Sequence, residues 1–113
     1  MSTTLIQLEI TGKRAVLTLK RPHKANALNR EMVADLTRAL VGISANRQVH
    51  TLLVRGAGNR AFCAGADLTE AGTMQDDGLW KDLADALLKL PVLSVALING
   101  ACIGGGLALA LGC

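Results

Sequence analysis

Between Leu90 and Cys113 the chain carries no charged residue, and the run is interrupted by Asn99-Gly100-Ala101-Cys102-Ile103-Gly104-Gly105-Gly106. A membrane helix is one way to bury such a run, since it needs about 20 apolar residues. Gly100-x-x-x-Gly104 also matches a membrane-helix contact motif. Asn99 at mid-span and five glycines argue against it, because glycine weakens a helix. A buried strand over Val92–Ile98, a glycine-rich turn, and a helix starting in Leu107–Leu111 explain the same run and are expected here. Three consecutive glycines remove every Cβ at one place, so a ligand can approach the backbone closely. The helix that follows leaves its first N–H groups unpaired, with the positive end of its dipole behind them. An N–H at Gly105 or Gly106 is then placed to donate to an oxygen that gains negative charge. The plainer account of the triplet is a tight turn where a strand meets a helix.

At 113 residues the chain makes at most one domain. Only Phe62 and Trp80 are aromatic, so the core is expected to be aliphatic. Residues 1–60 hold ten Lys/Arg against three acids, whereas residues 61–113 hold two Lys against six acids. The basic half suits a phosphate-bearing ligand. With so few aromatics to stack bases, no nucleic-acid partner is expected. Cys63, Cys102 and Cys113 are odd in number and form no C-x-x-C pair, which suits buried thiols in a reducing compartment. Neither His23 nor His50 lies at ligand spacing from a cysteine, so no metal site is expected. Met1-Ser2-Thr3-Thr4 has no secretory n- or h-region. A cytoplasmic protein is the expectation.

Leu5–Ile10 alternates apolar and polar, Thr11-Gly12 turns the chain, and Ala15–Leu19 returns, which predicts a hairpin. Lys20-Arg21-Pro22-His23-Lys24 is a basic loop. Asn29 is placed to cap a helix from Arg30 to about Ser44, with Glu31 in its first turn. Met32, Val33, Leu36, Leu40 and Ile43 recur at helical spacing and give that helix a core face. Thr51–Val54 predicts a central parallel strand. Leu79–Leu90 predicts a second amphipathic helix, stopped by Pro91, with Leu79, Leu83, Ala86, Leu87 and Leu90 on one face. Trp80 is expected to be a packing residue.

Gly56-Ala57-Gly58-Asn59-Arg60-Ala61 fits G-x-G-x-x-A after a strand, the form of a dinucleotide fingerprint. A dinucleotide fold would open a helix here and place an acid at the end of a second strand about 20 residues on. Instead Phe62-Cys63-Ala64-Gly65-Ala66-Asp67 reads as another small-residue turn, so the dinucleotide reading is rejected. Asp67 can cap a short helix through Leu68–Ala71, and residues 72–78 read as a loop over a site.

Three motifs together resemble the N-terminal part of the crotonase superfamily, the enoyl-CoA hydratase/isomerase family. They are Lys20-Arg21-Pro22 with Lys24-Ala25-Asn26-Ala27-Leu28-Asn29, then Ala61-Phe62-Cys63-Ala64-Gly65-Ala66-Asp67-Leu68, then Asn99 to Gly106. The resemblance spans almost the whole chain, while family members are more than twice as long. Residues 1–113 are therefore expected to be the N-terminal part of a crotonase-like acyl-CoA-binding domain. The implied fold is α/β, a spiral of ββα units with a parallel sheet flanked by helices. The implied ligand is an acyl-CoA thioester, with coenzyme A entering as part of the substrate and no separate cofactor. By position, the backbone N–H groups of Ala66 and Gly105 would hold the thioester oxygen as an enolate forms. Lys24, Ala25, Ala27, Ala64, Ala66, Asp67, Leu68 and Gly105 would contact the substrate, with the adenine near Lys24–Ala27 and Ala64. A homo-trimer or hexamer is expected by resemblance, and no membrane partner.

The chain departs from the family at Ala108, where typical hydratases carry a catalytic glutamate. Alanine can neither orient water nor move a proton. The family's second acid would lie beyond residue 113. Asp67 and Glu70 are the nearest acids, and a helix cap and a solvated residue are the plainer readings of them. The first expectation is an enoyl-CoA hydratase/isomerase family enzyme with an isomerase-like or divergent reaction. A catalytically inactive or truncated acyl-CoA-binding module is the second, and a membrane-anchored protein the third.

Overall fold

The computed structural model describes residues 3–58, 61–63, 78–98 and 101–102. Strands β1 (Ile6–Thr11) and β2 (Arg14–Leu19) form the predicted antiparallel hairpin around Gly12-Lys13. A 3-10 turn over Pro22–Lys24 follows, then helix α1 (Arg30–Ala45) and strand β3 (Thr51–Gly56). Strand β4 (Ala61–Cys63), helix α2 (Leu79–Leu88), strand β5 (Leu93–Leu97) and strand β6 (Ala101–Cys102) complete the order. One sheet runs β1-β2-β3-β5, with β3 parallel to both its neighbours. A second, small sheet pairs β4 with β6 in parallel. The architecture is the expected α/β one, with the opening hairpin making the larger sheet mixed rather than wholly parallel.

α1 forms where its capping residue and its apolar spacing agree. The Asn29 side chain accepts from the Met32 N–H at 2.8 Å and satisfies one orphan donor of the first turn. Met32, Val33, Leu36, Ala39, Leu40 and Ile43 are all buried. Asp35 is buried beside them. Its Oδ1 accepts from Arg38, while Oδ2 has no hydrogen-bond partner. α2 buries Leu83 and Leu87 and packs on α1, with Leu79, Trp80, Ala86 and Leu90 half-buried around them. Trp80 is thus a packing residue, as expected.

The pleat assigns the sheet's two faces. Ala15, Leu17, Leu19, Leu52 and Val54 join the helices in one core. In register on that face lie Ala15, Leu52 and Ser94, then Leu17, Val54 and Ala96. The opposite face carries Val16, Leu53 and Val95 in one row, then Thr18, Arg55 and Leu97 in the next.

Besides β1, which runs on to Thr11, and α2, which stops at Leu88 rather than Leu90, four expectations change. β3 continues two residues past Val54 to Gly56. Ala61–Cys63 is a strand rather than part of a turn, because β6 supplies a partner that is distant in sequence. For the same reason Ala101–Cys102 is a strand inside the glycine-rich run. The fourth concerns Val92–Ile98, expected to be a buried strand. Among the described residues β5 pairs only with β3, and Leu93, Val95 and Leu97 are 67%, 38% and 44% exposed. Only its other face meets the core, through Ala96. Among the described residues no helix is long and apolar enough to cross a membrane. The helix over Leu68–Ala71, the loop through residue 77 and the helix start at Leu107–Leu111 lie outside the described residues.

Leu36→Ala is expected to cost about 2–5 kcal/mol, since it leaves a cavity under α1. Asn29→Ala is expected to cost about 1 kcal/mol, the worth of one cap. Urea unfolding of both variants against the parent measures the two losses.

Candidate functional site

Open α/β sheets bind ligands outside the carboxyl ends of their strands. Here β2, β3 and β5 end at Leu19, Gly56 and Leu97. A cleft of about 200 Å³ at that end is lined by Arg55, Gly56, Gly58 and Leu97. A larger one, about 340 Å³, is lined by Ser44, Asn46, Arg47, Val49, His50 and Pro91. It sits at the opposite end, where β3 and β5 begin. The Lys20–Asn29 loop leaves β2 at that end and Gly56-Ala57-Gly58 leaves β3 there, so the smaller cleft is the candidate functional side.

The loop after β2 is built for rigidity. Its 3-10 turn is closed by Lys24 N–H to Arg21 O (3.0 Å) and Ala25 N–H to Pro22 O (3.1 Å). The Arg21 guanidinium donates to the Ala27 carbonyl at 2.9 Å. Ala25 and Asn26 are both left-handed, with φ of 51° and 56°. Asparagine tolerates that region, but alanine adopts it only at a cost of about 1–3 kcal/mol. The loop holds this backbone by hydrogen bonding. Asn26, fully buried, accepts from the Arg21 N–H through Oδ1 at 2.9 Å. Its Nδ2 donates to the Ala57 carbonyl at 3.0 Å, across to the exit of β3. Ala57 N–H in turn donates to Leu19 O at 2.7 Å.

Lys24, Ala25 and Ala27, all expected to meet the substrate, therefore sit together in one tied loop at the carboxyl end. Lys24 and its neighbour His23 are exposed, while Ala25 and Ala27 are half-buried. The other expected site residues, Ala64, Ala66, Asp67, Leu68 and Gly105, lie outside the described residues, as do Glu70 and Ala108. What is described is the frame from which two of those segments leave. β4 and β6 run parallel, with Ala61 opposite Ala101 and Cys63 opposite Cys102. An irregularity between Ala61 and Cys63 adds one residue on the β4 side, the buried Phe62. Ala64 follows Cys63 directly and Ile103 follows Cys102. Ala66 and Gly105 each stand three residues beyond that registered pair.

The sequence passed over Asn26 and Arg21 as individual residues. An asparagine between two alanines in a loop after a proline is a signal for a left-handed turn. Its burial and its bond to Ala57 depend on β3 lying alongside, which local spacing does not reveal. The G-x-G-x-x-A segment opens no helix where a dinucleotide fold requires one, since strand β4 begins at Ala61. Among the described residues no three His, Cys, Asp or Glu side chains are grouped to hold a metal.

Residues 9–113 match the model of the enoyl-CoA hydratase/isomerase family. The chain is 40% identical over 105 residues to the Bacillus subtilis protein YngF, whose given name is that of an enoyl-CoA hydratase/isomerase, covering 88% of this chain and 40% of that one. It is 32% identical to the (E)-benzylidenesuccinyl-CoA hydratase of Thauera aromatica, covering 96% of this chain and 44% of the relative. The crystal structure of an enoyl-CoA hydratase/carnithine racemase from Magnetospirillum magneticum superposes with a TM-score of 0.92 at 38% identity, covering 99% of this chain and 45% of that one. The chain spans less than half the length of these relatives.

Two glycines separate the site's frame from ordinary helix. A Cβ on Gly58, at φ +82°, would lie 3.2 Å from the Pro22 Cβ, while one on Gly42 in α1 meets nothing within 4 Å. Gly58→Ala is expected to lose more than about 1 kcal/mol, and Gly42→Ala to gain about 0.5–1 kcal/mol. Thermal melts of the two variants check the opposite signs.

Proposed function

Because the chain belongs to the enoyl-CoA hydratase/isomerase family, we propose that it binds an acyl-CoA thioester and stabilises its enolate through the backbone N–H groups of Ala66 and Gly105. The observation that carries this is the parallel register of β4 and β6. It starts both small-residue segments side by side, at the strand spacing of about 4.8 Å. Two donors on one thioester oxygen require two chain segments to converge, and the parallel pair sets Cys63 and Cys102, which directly precede the two segments in sequence, side by side. Removal of a proton next to the thioester carbon moves charge onto that oxygen, and preorganised N–H donors in a site that excludes water stabilise it. The Lys20–Lys24 stretch supports the nucleotide end, where ammonium groups suit phosphate oxygens without strict geometry. The fixed loop over Lys24–Ala27 is the surface for the adenine.

Syn hydration needs a carboxylate to position water and to transfer a proton. Ala108 stands where the family's hydratases carry glutamate, so hydration through that position is disfavoured, and double-bond migration or another enolate reaction would give its proton to a different residue. The same alanine favours a second reading, a module that binds acyl-CoA without turnover.

Calorimetric titration with a short-chain acyl-CoA, and with free CoA as control, separates these readings from no binding at all. The expected result is binding of both, with the acyl-CoA about tenfold tighter, the worth of one or two hydrogen bonds. Gly105→Pro removes the donor and is expected to abolish that preference. In an active enzyme it is expected to lower turnover about 10²–10³-fold. Equal affinity for acyl-CoA and CoA in the parent protein would contradict the oxyanion assignment.

A further inference from the structure

We propose that Asn26 is a positioning residue for the coenzyme A end of the ligand, tying the Arg21–Ala27 loop to the exit of β3 so that its backbone is preset for the nucleotide. This rests on the acyl-CoA reading above. Both ends of the Asn26 side-chain amide are used, on two different segments. Oδ1 accepts from the Arg21 N–H and Nδ2 donates to the Ala57 carbonyl. The residue itself is fully buried. The same residue closes the loop a third time, through its own N–H to the Arg21 carbonyl at 2.8 Å. The strain falls on Ala25, which adopts the left-handed region at a cost that Asn26 escapes, and backbone held in that way clusters where a ligand is gripped. Lys24, with its exposed ammonium, immediately precedes the left-handed pair, so the clamp also fixes where that charge is presented. Asparagine is the residue that both tolerates this backbone and offers a donor and an acceptor from one planar group.

The test compares Asn26→Gly, Asn26→Asp and a remote control. Glycine keeps the backbone easy and deletes both side-chain bonds. Aspartate keeps the acceptor for the Arg21 N–H and loses the donor to Ala57. Ile43→Val, at the far end of α1, lowers stability without touching the loop. Binding of free CoA and of a short-chain acyl-CoA is read by calorimetry, and protection of the Arg21 amide by hydrogen exchange. Asn26→Gly is expected to weaken CoA and acyl-CoA equally, about tenfold, with the Arg21 amide deprotected. Asn26→Asp is expected to lose part of the affinity with that amide still protected, and it serves alone if the glycine variant does not fold. Ile43→Val is expected to bind as the parent does. An Asn26→Gly protein that binds CoA with parental affinity overturns the positioning role while leaving the acyl-CoA reading intact. A folded parent that binds neither ligand overturns both, and the silence of the parent itself tells the two failures apart.

Discussion

The parallel pairing of β4 with β6 is the constraint on which the functional side of this molecule depends. Each strand is too short to persist alone, at three and two residues. They hold because β4 buries Phe62 and Cys63 in the common core and touches β3, which is itself fixed by two parallel neighbours. The order of dependence is therefore from α1 and its cap, to the face of β2 and β3 beneath it, to β4, and then to β6. A cavity under α1 would be felt at the site without any site residue changing, since cores relax only partly around lost volume.

The loop after β2 meets the same side of the sheet by different means. Hydrogen bonds hold Lys24–Ala27, and they are directional where burial is not. Apolar packing can place an element to within a rotamer, whereas a planar amide bonded at both ends also sets its orientation. The sheet supplies the platform and the loop supplies a fixed backbone surface at its edge. Both serve the same purpose under the proposed function, which is to spend ordering entropy on folding so that little remains to be lost on binding.

Much of this was legible in the sequence. The hairpin, α1 with its Asn29 cap, the central place of β3 and the apolar face of α2 all follow from spacing and capping chemistry, which are local. So does the rejection of a dinucleotide site at Gly56-Ala57-Gly58, because β4 rather than a helix opens at Ala61. Three small-residue motifs in order carried the family resemblance, and the family match over residues 9–113 agrees with it. What escaped depends on partners far apart in the chain. Ala61–Cys63 and Ala101–Cys102 have the composition of turns and become strands only through each other. Leu93, Val95 and Leu97 have the composition of a buried strand, yet they are exposed, and among the described residues β5 is the last strand of its sheet. Asn26 is one polar letter in a loop, and its weight comes from Ala57, which stands 31 residues away.

The central claim is that two backbone donors converge on one thioester oxygen. Difference infrared spectroscopy of an acyl-CoA isotopically labelled at its carbonyl carbon tests it most directly, because the stretch of that bond reports the donors on its oxygen. The account predicts a shift to lower frequency on binding, and a smaller shift with Gly105→Pro. A bound thioester whose carbonyl stretches at the frequency it shows in water, unchanged by that substitution, would contradict it.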